Sequence, residues 1–179
     1  MTVSELCRRL SHPLMGRRTM GFGVHSPFAY SLIKFTLTEK GVYRQFDELK
    51  RLDAKAFRRL ALLFRLVCRF SPDEVGIIGA SEEDFAKIAQ TVTLADSRAR
   101  VSSSTLAPVV IADTPTLFDA SALPDESVIW LGNIRSADGK EMMRRIARST
   151  DYGQIFSDGR QALFCRFKHL PRQQFNVFF

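Results

Sequence analysis

Along the first seventy residues, apolar side chains recur three and four positions apart; from Val75 onward they come in short unbroken runs. The first pattern marks helices packed on one face, and the second marks strands buried on both faces. Residues 1–25, punctuated by Gly16, Gly21 and Gly23, read as a short helix and a loop. Ser26-Pro27 opens a helix, because Ser accepts orphan amide bonds and Pro at the first position gives up no needed donor. That helix is expected to reach about Thr38 and stop before Gly41. Another is expected from Ala54 to Phe70, with Phe57, Leu60, Ala61, Phe64, Val67 and Cys68 on one face and Arg58, Arg65 and Arg69 on another. Ser71-Pro72 ends it. Strands are then expected at Val75–Ile78, Val92–Ala95, Val109–Ala112 and Val128–Leu131. Helices are expected at Ser81–Gln90 and, capped by Ser136, at Ala137–Ser149. Three further β-like runs follow, Tyr152–Ser157, Ala162–Phe167 and Gln173–Phe179, with Asp158-Gly159 as a hairpin turn between the first two. The pattern predicts an α/β fold with a mostly parallel sheet that ends in antiparallel strands.

The 179 residues suit one structural domain, with a basic helical segment, 1–72, packed on an α/β core, 73–179. No apolar run reaches the roughly 18 residues of a membrane helix. Arg8 and Arg9 interrupt the stretch a signal peptide would need, so a cytoplasmic location and no membrane partner are expected. Cys7, Cys68 and Cys165 lie far apart, which suggests neither a disulfide framework nor a zinc knuckle. The net charge of +7 is unevenly spread. Residues 1–70 carry a net +9, residues 71–126 a net −7 and residues 127–179 a net +5. Such opposition favours docking of one segment on the next, and a basic head can also meet an anionic polymer. Arg and Lys scattered over amphipathic helices fit solvated faces better than a nucleic-acid footprint, because no recognised binding motif accompanies them.

Several strings carry a family likeness. GFGVHSPFAYSLI (Gly21–Ile33), LLFRLVCRFSP (Leu62–Pro72), DESVIWLGNIRS (Asp125–Ser136) and LPRQQFNVFF (Leu170–Phe179) resemble parts of class I S-adenosylmethionine-dependent methyltransferases. The nearest likeness is to a bacterial group related to the catechol O-methyltransferase type. The resemblance covers both ends of the chain and is thin in the middle. It implies a Rossmann-like, mostly parallel sheet finished by an antiparallel hairpin, with the tail as its last strand. It also implies a cofactor turn after the first strand, here Gly79, Ala80 and Ser81, and a ribose-binding acid after the second strand, here Asp96.

Three departures from that family stand out. Ile77 takes the place of the acidic residue that ends the family's first strand, and Glu82-Glu83 takes the place of a later glycine. Backbone amides at a helix start attract an anion, but a like charge at about 6 Å costs roughly 3 kcal/mol at an effective dielectric of 20. The same acids also read as the start of a Ser-capped helix. Second, the family's metal-binding carboxylates map onto Asp113, Gly132 and Asn133. One acid beside an amide is a poor site for Mg²⁺, and both places read better as strand-end turns. Third, only 34 positions separate Val75 from Val109, where crossover units of roughly 30 residues each would call for about 80.

No Gly-x-Ser-x-Gly elbow, P-loop or dinucleotide fingerprint is present, and Ser102-Ser103-Ser104 reads as a polar turn or strand edge. His12, His25 and His169 lie in unrelated segments, and His25 suits a hydrogen bond in the loop before the Ser26-Pro27 helix. Trp130 and the 15 Phe residues read as core. The expectation is a degenerate, cofactor-free and metal-free methyltransferase-like binding or scaffold module without catalytic residues. Its partner would be a protein, met by the basic N-terminal helices or by Phe175–Phe179, a candidate edge for pairing, including dimer formation. The alternatives are an active methyltransferase using S-adenosylmethionine in an atypical pocket, and a nucleic-acid binder using the basic head.

Overall fold

In the computed structural model, which describes residues 23–114 and 117–179, the Ser26 hydroxyl accepts the amide of Ala29 at 3.2 Å and starts α1, Pro27–Leu32. A single π-helical turn, Ile33–Leu37, continues it, closed by the Thr38 amide and hydroxyl on the Ile33 carbonyl at 3.0 and 2.8 Å. Helix α2, Phe46–Leu52, was not expected: it has two turns, and Phe46 and Leu49 are its buried residues. Asp53 then takes the amides of Lys55 and Ala56 on one carboxylate oxygen, turning the chain into α3, Phe57–Phe70. That helix starts three residues later than the apolar pattern suggests. It buries the continuous run Leu60–Phe64 as well as Leu66 and Val67, because the sheet lies on one side and α1 and α2 on the other. Cys68 is exposed, not part of the apolar face. Ser71, at φ +42°, ends α3 ahead of Pro72. The helix and loop expected within residues 1–25 fall mostly outside the described residues, as do Cys7 and His12.

Seven strands form one sheet: β1 Glu74–Ile78, β2 Arg100–Ser102, β3 Val109–Ala112, β4 Ser127–Leu131, β5 Gln154–Ser157, β6 Ala162–Arg166 and β7 Gln173–Asn176. Their order is β2-β1-β3-β4-β6-β5-β7. β1 to β4 are parallel, with Ile77 opposite Ile111 and Ile111 opposite Trp130. β6 runs antiparallel to both β4 and β5, and the hairpin at Asp158-Gly159 is present. β7 departs from expectation, lying at the sheet edge parallel to β5, so β6 is the reversed strand and not the tail.

Alternation along the strands divides the interior in two. Val75, Ile77, Ile111, Trp130, Phe156 and Leu163 face the layer of α1, α2, α3 and α4, Glu82–Ala95. Val110, Ile129, Leu131 and Phe164 face α5, Ala137–Arg148, and the 3₁₀ turn Ala120–Ala122. Helix α5 is capped by Ser136, whose hydroxyl accepts the Gly139 amide at 3.0 Å.

The largest correction lies between β1 and β3. Val92–Ala95 is not a strand but the last turn of α4, because Ile88, Thr91 and Val92 form a helical stripe buried on the core. The second strand is the short β2, and only residues 103–108 join it to β3. Six extended residues reach roughly 20 Å, enough to cross β1 without a helix. The crossing lies against Gly76, where a Cβ would come within 1.9 Å of the Ser104 carbonyl oxygen. A side chain there would push the crossover off the sheet.

Candidate functional site

In an open parallel sheet, ligands settle at the carboxyl ends of the strands where strand order reverses. Here that point lies between β1 and β3, since β2 sits on one side of β1 and β3 on the other. The turn after β1 is built by Gly79 at φ +68°, and a Cβ on it would lie 1.9 Å from the Thr114 carbonyl oxygen. The glycine therefore accommodates the chain's own loop after β3. Ala80 leads on to Ser81, which caps α4: its oxygen accepts the Asp84 amide at 3.1 Å, and its hydroxyl donates to the Asp84 carboxylate at 2.9 Å.

An arginine from the helical layer reaches this crevice. Arg59 on α3 donates from Nη1 to Asp113 Oδ1 at 2.6 Å and from Nη2 to Asp84 Oδ1 at 3.0 Å. The Asp113 side chain is only 7% exposed and that of Arg59 is 29% exposed. Burial pushes the Asp113 carboxyl above the usual range, against the opposing pull of Arg59. The bonds from Ser81 and then Arg59 hold Asp84 below the usual range. Arg59 thus ties the loop after β3 to the start of α4. Sequence reasoning missed it, although a signal existed: Leu62, Leu63 and Leu66, at three, four and seven positions beyond it, are all buried. Of the other first-turn acids, Glu83 pairs with Lys87 at 2.6 Å and remains largely exposed. Docking of basic on acidic segments, expected from the charge distribution, takes the form of these Arg59 pairs.

The remaining sequence candidates do not converge here. Asp96 is not at a strand end: it closes α4 and binds the Arg98 guanidinium at 3.1 Å. A helix that follows a strand returns to the opposite edge of the sheet, so Asp96 lies away from the crevice. The true second strand ends in Ser102, Ser103 and Ser104, with no acid. Asn133 is exposed and caps a turn, its Oδ1 accepting the Arg135 amide at 3.2 Å. Asp113 is committed to Arg59. Among the described residues, no three His, Cys, Asp or Glu side chains gather as a metal site. Of the two expected metal candidates, Asp113 is taken by Arg59 and Asn133 Oδ1 by the Arg135 amide.

Beside the crevice, over β4 and the β5–β6 hairpin, lies an open cleft of about 870 Å³. The segment Thr38–Val42, α2 and α3 form one wall, and Asp158, Arg160 and Gln161 form the other. Its floor includes Phe57, Trp130 and Phe179. The Trp130 indole N–H donates to Gln161 Oε1 at 3.0 Å, and Gln161 Nε2 donates to the Phe179 carbonyl at 2.8 Å. Gly79, Ala80 and Ser81 do not line this cleft.

Compared with known proteins, the chain matches no family model and no curated protein. Among the described residues, no helix is long and apolar enough to cross a membrane.

Proposed function

We propose that this chain is a Rossmann-like, methyltransferase-type domain that does not hold S-adenosylmethionine and acts as a binding module. Parallel strands followed by an antiparallel hairpin support the family part of the reading. The observation that carries the functional part is Arg59 bridging Asp113 and Asp84 across the strand-order reversal. The donor's amino-acid end would need that space and the amides at the start of α4. The space holds an ion triad, and the first turn of α4 carries Glu82, Glu83 and Asp84. Its ribose would need an acid at the end of β2, where the chain has serines. The residues present do not fit the cofactor, so no methyl-transfer step is derived. Thermal melting of the purified chain with S-adenosylmethionine in large excess tests the reading. An unchanged melting temperature is expected, because only a ligand held by the folded state raises it; a rise that grows with ligand concentration would reject the proposal.

A further inference from the structure

The cleft over β4 and the β5–β6 hairpin is a feature that this reading leaves without a task. Its volume, about 870 Å³, is in the range of small-molecule sites. Four cations line its walls, Lys40, Lys50, Arg58 and Arg160, in addition to Arg59 and Arg65. Arg59 is bound to two carboxylates, and Arg65 Nε donates to the Thr36 carbonyl at 2.8 Å. Lys50 lies 3.6 Å from exposed Asp47 and over the Phe57 ring. Lys40, Arg58 and Arg160 are exposed and have no ion-pair partner among the described residues.

Two carboxylates also line the cleft, Glu39 and Asp158, and neutral donors hold them in place without cancelling their charge. Glu39 accepts the Tyr43 hydroxyl at 2.8 Å, and Asp158 accepts the Arg160 and Gln161 amides at 2.7 and 2.9 Å. The lining still holds more cations than carboxylates, above a partly aromatic floor. Trp130 is itself buried, with its N–H on Gln161, so the open apolar surface of the floor comes from half-buried Phe57 and Phe179. The sequence of residues 1–22 has four arginines and one glutamate, and so lacks the charge that would complement this lining.

We infer that the cleft is a binding site for a small amphipathic anion: a carboxylate, sulfonate or phosphate on an aromatic or similarly flat apolar body. The anionic group sits among Lys40, Arg58 and Arg160, and the apolar body lies on the half-buried rings of Phe57 and Phe179. The inference stands apart from the cofactor reading, because it uses different residues, over a different part of the sheet.

Calorimetric titration of the full chain with three naphthalene probes at neutral pH tests it: naphthalene-2-sulfonate, neutral naphthalene-2-methanol and cationic naphthalene-2-methylammonium. The sulfonate is expected to bind one to one, with the alcohol weaker by about tenfold and the ammonium weaker still. Arg58→Glu with Arg160→Glu is expected to weaken the sulfonate by about tenfold with the melting temperature little changed, since both side chains are exposed. Lys140→Glu, on α5 in the opposite layer, is expected to leave binding unchanged and so separates the cleft from bulk charge. Equal affinity for all three probes, no sulfonate binding at millimolar concentration, or indifference to the double reversal would overturn the site. Salt-dependent binding of single-stranded oligonucleotide that displaces the sulfonate would also overturn it, by making the cations a nucleic-acid track.

Discussion

Arg59 is a cation in a stripe otherwise made of leucines, and its worth depends on what is left behind when it is removed. Taking one member from a buried ion pair strands the other, at a cost larger than the net value of the pair. Arg59→Ala is expected to destabilise the fold by roughly 2–3 kcal/mol, below the figure for a fully buried pair because the guanidinium keeps some water contact. In a denaturant double-mutant cycle, Asp113→Ala should recover part of that loss; strict additivity would show that the two side chains do not support each other. Gly79→Ala puts a Cβ against the Thr114 carbonyl at a positive φ, and should cost at least about 2 kcal/mol. A denaturation midpoint within error of the parent would refute that packing. Neither site was fully legible in the sequence. Gly79 could be named from its place after a strand, but its neighbour Thr114 could not. The partners of Arg59 lie 54 and 25 residues away, separations that local pattern does not reveal.

At the scale of elements, legibility followed burial. β3, Val109–Ala112, matched its apolar run residue for residue, and β4, β6 and α5 were located within one residue at each end, because the strands bury every residue and α5 buries a stripe at helical spacing. β2 was missed, since three half-exposed residues carry no periodic signal. The apolar Val92–Ala95 was mistaken for it because a short apolar run looks alike in a strand and at a helix end. Gly76 marks the consequence: Gly76→Ala should lower stability by roughly 1–3 kcal/mol by displacing the β2–β3 crossover, measurable as a shifted urea midpoint. The corner between α2 and α3 is tied to α4 by Asp53 and Lys87, 2.8 Å apart. Hydrogen bonds from Lys87, then from the Ala56 amide, lower the Asp53 pKa from 3.8 to about 2. A lowered folded-state pKa gives stability that is present above the unfolded value and lost as pH falls through the folded one. The contribution of this tie should therefore fade between about pH 4 and pH 2, and Asp53→Asn should flatten that part of the stability profile; an unchanged profile would show that the tie contributes nothing.

Across the whole molecule, the order of strands brings the loops after β1 and β3 together, and the helical layer supplies the arginine that joins them. The cleft proposed as a binding site lies beside β4, away from the strand-order reversal. The alternation of short apolar runs with helices was enough to anticipate an α/β sheet. The direction of β7 was not anticipated, because strand pairing is decided by packing of Phe175 and Val177 on the distant helical layer. The most direct measurement of the central claim is isothermal titration of S-adenosylmethionine into the parent chain at neutral pH. The ion triad predicts no heat beyond dilution at millimolar ligand. A saturable one-to-one isotherm would mean that the crevice accepts the cofactor in spite of Arg59, and would contradict the account.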